Sequence, residues 1–359
     1  MKLFLTGGFL GSGKTTAIQQ ACLQLMRKNI RVAAIMNDQG YQLVDSAFIK
    51  QSGIPTREVT NGCFCCNYDQ LEQYIQSLYH DFKPEIIFAE SVGSCADLVA
   101  TITRPLVQFH PEIPVALSVF ADAALLWSLM NGDSRFLDES VRYIYKKQLE
   151  EADILVINKA DLLSGADLEK VTETVMAEYP GKTLLLQNSL REVDIQNWIS
   201  TMDNYQAAKS RKALIIDYDT YGEGEARLAW LDKRVTISSS HPPAAQVCAD
   251  LINSIHEKIH RAGLPIGHIK FFIDDGSHQQ KISYTTVAQR AIVPVDLKEK
   301  IHDISLLINA RVQTEPAMLE KIIHEAEKEI EERTGCAIIT NTLSAFQPGY
   351  PKPTYRMVQ

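Results

Sequence analysis

Residues 2–16 read Lys-Leu-Phe-Leu-Thr-Gly-Gly-Phe-Leu-Gly-Ser-Gly-Lys-Thr-Thr, and this stretch decides the fold of the first half of the chain. Gly8 to Thr15 fits the phosphate-loop spacing: a glycine, four residues, then glycine-lysine-threonine. Leu3-Phe4-Leu5 predicts a short apolar strand ahead of the loop, and a helix follows from Thr16 onward. In that context the backbone N–H groups around Gly8, Gly11, Ser12 and Gly13 converge on phosphate oxygens, and the helix N-terminus adds positive potential. Lys14 then reaches the β- and γ-phosphates, and the Thr15 hydroxyl is placed to ligate Mg²⁺.

Working outward, the first ~200 residues alternate short apolar runs with longer amphipathic ones, the rhythm of βαβ units and a parallel sheet. Strands are expected at Lys2–Thr6, Val32–Met36, Ile86–Ala89, Val115–Val119, Ile154–Ile157 and Thr183–Leu186. Ile18, Ala21, Cys22 and Leu25 share one helix face, which makes Cys22 a core residue. The polar stretch Asp203–Lys212 reads as a linker, dividing a domain at 1–204 from one at 212–359. Past it the pattern predicts an α+β unit, a mainly antiparallel sheet with helices on one side. Its strands are expected at Ala213–Tyr218, Arg227–Ser238, His268–Ile273, Lys281–Thr286, Asp303–Val312 and Cys336–Asn341, and a helix at Pro242–Arg261. A further helix carries Leu319, Ile322, Ile323, Ala326 and Ile330 on one face, opening at Pro316 and stopping at Gly335. The fold class is therefore α/β, a doubly wound parallel sheet followed by a smaller α+β domain.

Composition narrows the function. The chain has 359 residues, 45% of them apolar, and a net charge of −8, which argues against a broad nucleic-acid-binding face. No run of 18 apolar residues is present, so no membrane span is expected. The apolar start of the chain reads as a buried strand rather than a secretory leader. Seven cysteines, three of them within four residues, suit a reducing cytoplasm better than a disulfide framework.

Two further motifs stand at strand ends. Ile154–Ile157 delivers Asn158-Lys159-Ala160-Asp161. The Asp161 carboxylate can accept hydrogen bonds from N1–H and the exocyclic amine of guanine, a pair that adenine lacks, and a site built on such groups rejects ligands that leave them unpaired. Asn158 supports loop and base, and the Lys159 stem can lie over the ring. Ile86–Ala89 delivers Glu90-Ser91-Val92-Gly93. Glu90 is placed to hold Mg²⁺ through water or to orient the attacking water, and the Gly93 N–H to meet the γ-phosphate. Asp38, in Asn37-Asp38-Gln39-Gly40, is a second candidate beside Mg²⁺. No arginine marks itself as a finger in cis, so slow turnover is expected.

Gly62-Cys63-Phe64-Cys65-Cys66 gathers soft ligands suited to zinc or another thiolate-binding transition metal. Cys63 and Cys65 can face one way on an extended segment, whereas Cys66 joins them only if the loop turns. Cys95, in the loop after Gly93, either packs in the core or approaches the nucleotide or this cluster; Cys248 and Cys336 read as core. His256 and His260 share a helix face in His-Glu-Lys-Ile-His, but the neighbouring Ile255 and Ile259 take the buried side, which turns the histidines partly toward solvent.

Taken together, residues 7–16, 62–66, 90–93 and 158–161 resemble the CobW-like P-loop GTPases, relatives of the nickel-enzyme maturation GTPases of hydrogenase and urease. The resemblance covers about residues 1–200. It implies slow GTP hydrolysis coupled to metal handling or to assembly of metal cofactors, cobalamin included. By the same resemblance Gly8–Thr16 bind phosphates and Mg²⁺, while the residues themselves make Lys14 and Glu90 the catalytic candidates and add Gly93 to the GTP contacts. Asn158, Lys159 and Asp161 bind guanine, and Cys63, Cys65 and Cys66 bind metal. The partners implied are a client metalloenzyme or a cofactor-synthesis protein, and the class also admits a homodimer. The alternative is a GTP-dependent activator of a partner, such as a corrinoid enzyme, with structural cysteines. The chain departs from the family at Asn37-Asp38-Gln39-Gly40-Tyr41, where members often carry Asn-Glu-Phe-Gly-Glu, and it has no histidine-rich linker.

Overall fold

The computed structural model describes residues 1–41, 43–132, 138–206, 213–285 and 301–358. The first sheet contains β1 (Lys2–Gly8), β2 (Val32–Asn37), β3 (Thr56–Val59), β4 (Ile86–Glu90), β5 (Val115–Asp122), β6 (Ile154–Asn158) and β7 (Thr183–Gln187). All neighbours run parallel, in the order β3-β2-β4-β1-β5-β6-β7. Its helices are α1 (Lys14–Arg27), α2 (Val44–Gln51), α3 (Tyr68–Phe82), α4 (Arg104–Phe109), α5 (Ala123–Met130), α6 (Glu139–Glu151), α7 (Gly165–Glu178) and α8 (Glu192–Asn204). A parallel sheet needs crossovers on both faces, so its central strands are apolar throughout rather than alternating. Successive side chains nevertheless part to opposite faces. Leu3, Leu5, Ile35, Ile87, Leu155 and Ile157 join one core. Phe4, Ala34, Met36, Phe88 and Val156 join the other, with the Cys22 face of α1 and Trp198 of α8.

The six strands expected here are all present. The short edge strand β3 is not among those expected, because Thr-Arg-Glu-Val is polar and half-exposed and carries no apolar pattern. Asp203 and Asn204 of the expected linker close α8, while residues 207–212 lie outside the described residues, as does Thr286 of the expected hairpin.

The second sheet contains β8 (Leu228–Ser238), β9 (Ile266–Asp274), β10 (Gln279–Thr285), β11 (Asp303–Gln313) and β12 (Ala337–Phe346), in the antiparallel order β10-β9-β11-β8-β12. Before it stands α9 (Tyr218–Ala226), and within it come α10 (Ala244–Arg261) and α11 (Pro316–Thr334). The order β12-β8-β11-β9 is that of a split βαβ arrangement, with β10 added at the edge. One face, with Ile269, Phe271, Ile273, Leu306 and Ile308, packs on α10 and α11. Cys248 and Cys336 lie in this core. His256 does not face solvent as expected: it is buried and stacks on the Tyr284 ring at 4.1 Å, while His260 stays exposed.

The strand expected at Ala213–Tyr218 is absent. Ile215 is 91% exposed, and Asp217 caps α9 instead, accepting from the Asp219 N–H. Glycines at 222 and 224 disguised this helix in the sequence. They are there for close approach: a Cβ would stand 2.4 Å from the Tyr350 ring at one and 2.6 Å from the Ser140 carbonyl oxygen at the other.

The opposite face of the second sheet is polar and meets the segment after β2. Arg311, with no exposure, bonds Asp38 at 2.9 Å and Asp232 at 2.8 Å and lies 4.1 Å over the Trp230 ring. Tyr41 N–H donates to Asp232, and Val44 N–H to Asn309. Arg311→Met would leave two carboxylates without their cation and should cost about 3–5 kcal/mol at neutral pH. Burial holds Asp232 above the usual carboxylate range. Without the guanidinium that pKa rises further, so the deficit should be full above the variant's pKa and shrink as pH falls from there toward the wild-type one; urea unfolding against pH measures both.

Candidate nucleotide and metal site

Both halves of the site lie beyond the carboxyl ends of the parallel strands, the usual place for ligands in such sheets. Gly8, Gly11 and Gly13 take φ of 122°, 75° and 92°, so the loop after β1 turns where side chains are disfavoured. A Cβ at Gly13 would meet the Asn158 amide at 2.3 Å. Lys14 is buried, and its ammonium is held by the Gly8 and Phe9 carbonyl oxygens at 2.7 and 3.2 Å. Burial lowers its pKa, against the opposing pull of Glu90 4.0 Å away. Thr15 Oγ1 donates to Glu90 Oε1 at 3.0 Å. Glu90 Oε2 is buried without a hydrogen-bond partner among the described residues, and burial raises this carboxyl's pKa. A hydroxyl beside an orphaned carboxylate oxygen is a donor set that fits Mg²⁺. These groups, with Thr16 and Lys159, line a cavity of about 310 Å³.

Asn158 ties the phosphate loop to the strand ends. Its Nδ2 donates to the Ser12 carbonyl at 2.8 Å, and its Oδ1 accepts from Ser189 N–H and Oγ. Lys159, at φ 57°, pairs with Asp122 at 2.8 Å instead of lying free over a ring. Asp161 sits exposed in the one-turn 3₁₀ helix Ala160–Leu162. Gly93 lies against the phosphate loop, where a Cβ would stand 2.5 Å from Leu10. Gln148 fixes this loop from α6, donating to the Gly93 and Cys95 carbonyls at 3.0 and 2.8 Å. Asp38 is not placed as a Mg²⁺ ligand: its carboxylate is committed to Arg311 and the Gly40 N–H, and it does not line the phosphate cavity.

The loop bearing the cysteines does turn. Asn37, at the end of β2, grips it three times, donating to Val59 and Gly62 carbonyls and accepting from Phe64 N–H. Cys66 N–H then closes onto the Cys63 carbonyl at 3.1 Å. All three sulfurs gather within 4.8 Å, at separations of 2.7, 3.3 and 3.8 Å. Hydrogen bonds from the Cys65 and Cys66 thiols hold Cys63 well below the usual thiol range. Their own pKa values rise in exchange, that of Cys66 to about 11. A thiolate ready to ligate a soft cation results. Cys95, fully buried, lies in the same core cluster as Cys63 and Cys65.

Several residues at the site carried no motif. Glu225 of α9 lines a cavity of about 540 Å³ that opens onto Cys63 and Cys66, and accepts from Ser94 at 2.6 Å and Gln39 at 3.2 Å. Burial, then the nearby Cys63, raises its pKa well above the carboxylate range. Residues 348–356, with prolines at 348, 351 and 353, cross the cluster: Lys352 N–H donates to Cys66 Sγ at 3.2 Å, and Thr354 N–H to the Cys65 carbonyl at 2.8 Å. Arg356 anchors this segment on Asp97 at 2.7 Å. Extended, polar stretches of this kind give no periodicity to read.

Residues 2–186 match the CobW/HypB/UreG nucleotide-binding domain. The chain belongs to this family. Among relatives of this CobW-family chain, the zinc chaperone CobW of Sinorhizobium is 26% identical over 208 residues, covering 52% of this chain and 58% of that protein. The Escherichia coli zinc chaperone YeiR is 29% identical over 160 residues, covering 44% and 46%. The zinc-regulated GTPase metalloprotein activator 1 of Schizosaccharomyces pombe is 27% identical over 241 residues, covering 63% and 51%. The chain thus spans about half the length of the curated relatives it matches. HypB of Helicobacter pylori, crystallised with nickel, aligns at 14% identity and a TM-score of 0.42, over 58% of this chain and 91% of that one. Among the described residues, no helix is long and apolar enough to cross a membrane.

Proposed function

We propose that the chain is a GTP-hydrolysing metallochaperone that carries zinc, or another thiolate-binding metal, on Cys63, Cys65 and Cys66 and yields it to a client protein according to the bound nucleotide. One observation carries this reading: Gly93 rests on the phosphate loop, and Cys95, two residues on, is buried in the same core cluster as Cys63 and Cys65. A γ-phosphate that draws the Gly93 amide therefore pulls on the wall of the metal site. The names of the curated relatives support zinc as the cargo. Free thiols throughout suit a reducing compartment.

In this reading Thr15 and Glu90 hold Mg²⁺, which neutralises phosphate charge when bound. Lys14 leaves its loop carbonyls for the β- and γ-phosphates, and Asp161 reads guanine. The deciding measurement is zinc affinity with a non-hydrolysable GTP analogue against GDP. Equal affinities would remove the coupling, because a ligand that does not distinguish two states cannot shift them. Asp161→Asn should weaken GTP about ten- to a hundredfold and favour XTP, whose C2 carbonyl accepts from the new amide. Competition titrations that still rank GTP above XTP would discard the base-reading role.

A second reading, a GTP-dependent activator of a partner with structural cysteines, draws on the near-complete burial of Cys63 and Cys65, each 2% exposed. Metal analysis of protein prepared with and without GTP separates the two, since structural thiols hold the same metal content in both.

A further inference from the structure

The phosphate cavity is closed by the second sheet, not by the GTPase-like half alone. His268, Lys270, Lys281, Ser283 and Thr285 line it together with Gly11, Lys14, Thr15 and Glu90. The strand register explains why. Thr285 pairs with His268 and Ser283 with Lys270, so these side chains share one face of the β9-β10 hairpin. The other face carries Ile269, Phe271, Ile282 and Tyr284 into the core under α10 and α11. The hairpin is thus braced from behind, and contact with the phosphate loop is close: a Cβ at Gly11 would stand 2.5 Å from the Thr285 methyl.

The charges on that face are unbalanced. Lys270 and Lys281 both pair with the single carboxylate of Asp45, Lys281 at 2.8 Å. With Lys14 against Glu90 and Lys159 against Asp122, four ammonium groups around this cavity meet three carboxylates. His268 is 2% exposed, and neither of its ring nitrogens has a hydrogen-bond partner among the described residues. An unpartnered imidazole and a surplus cation buried at a phosphate loop are both costly unless an anion completes them.

We propose that Lys270, with Lys281 and His268 beside it, is a phosphate contact supplied in cis by the second sheet, which exchanges Asp45 for the terminal phosphate of the bound triphosphate. This rests on the GTP reading above. During hydrolysis water adds to the terminal phosphorus, and the bond to the bridging oxygen breaks with its electron pair left on the diphosphate. The water proton leaves with the phosphate. The lysine ammonium faces the charge that grows in that step, the part an arginine finger plays elsewhere. Removing nucleotide or phosphate returns the lysine to Asp45, so the second sheet senses whether the terminal phosphate is present.

The test compares wild type with Lys270→Met, Lys270→Arg and Asp45→Asn, in the full chain with Mg²⁺. For each, GDP affinity and the affinity for GDP with aluminium fluoride are measured by calorimetry, and GTP hydrolysis under single turnover. Lys270→Met should slow hydrolysis about a hundredfold or more and lose the tighter binding of the aluminium fluoride complex, while GDP affinity stays within about threefold. Lys270→Arg should restore part of the rate. Asp45→Asn removes the competing carboxylate and keeps the lysine, so its rate should equal or exceed wild type; a merely structural ion pair would make it fail alongside Lys270→Met and would overturn the assignment. Wild-type hydrolysis with an equally fast Lys270→Met overturns the lysine role alone. A wild-type chain that binds neither GTP nor GDP overturns both this role and the reading beneath it.

Discussion

Lys14→Ala should lower GTP affinity by about two to three orders of magnitude and leave hydrolysis undetectable. The argument is electrostatic. Lys14 is buried and satisfies two loop carbonyls, so its charge is desolvated before any ligand arrives. Truncating one partner of such a buried charged pair costs about 3–5 kcal/mol, and each 1.4 kcal/mol is tenfold in affinity. Lys14→Met separates charge from volume, since it fills the same channel without the ammonium. Calorimetric titration of GTP into both variants checks the expectation. Unchanged affinity in Lys14→Met would remove the loop from phosphate binding.

The second large effect is expected at the sulfurs. Cys63→Ser, Cys65→Ser and Cys66→Ser together should weaken zinc binding by about four orders of magnitude, since three thiolates supply roughly half of the 10–16 kcal/mol seen in thiolate zinc sites. Metal-free GTP affinity should stay within about threefold. Cys63 and Cys65 sit in the core, so Cys66→Ser alone, at the half-buried position, serves as the variant that keeps its packing. Competition with a chromogenic chelator reads both. Zinc held as tightly by the triple variant would place the cargo elsewhere.

The sequence-legible parts were those whose physics is local. The phosphate loop follows from glycines that must take positive φ between a strand and a helix, and the parallel sheet from strands apolar on both faces. Asn158-Lys159-Ala160-Asp161 was readable as a strand-end motif, yet the salt bridge from Lys159 to Asp122 was not, because it joins separate strand ends. Asp38 reads from its strand-end position as a candidate beside Mg²⁺. Only the fold brings Arg311, 273 positions later, against it. Lys270 and Lys281 were invisible for the same reason: alternation along β9 and β10 shows that they share a face but not what that face meets. The helix α9 hid behind two glycines that exist to admit Tyr350 and the Ser140 main chain.

The Lys352–Cys66 contact joins positions 286 residues apart. At 5–20 residues per second a ribosome needs about 15–60 s to travel that distance. Over that interval the Cys66 sulfur goes without the main-chain donor that Lys352 later supplies.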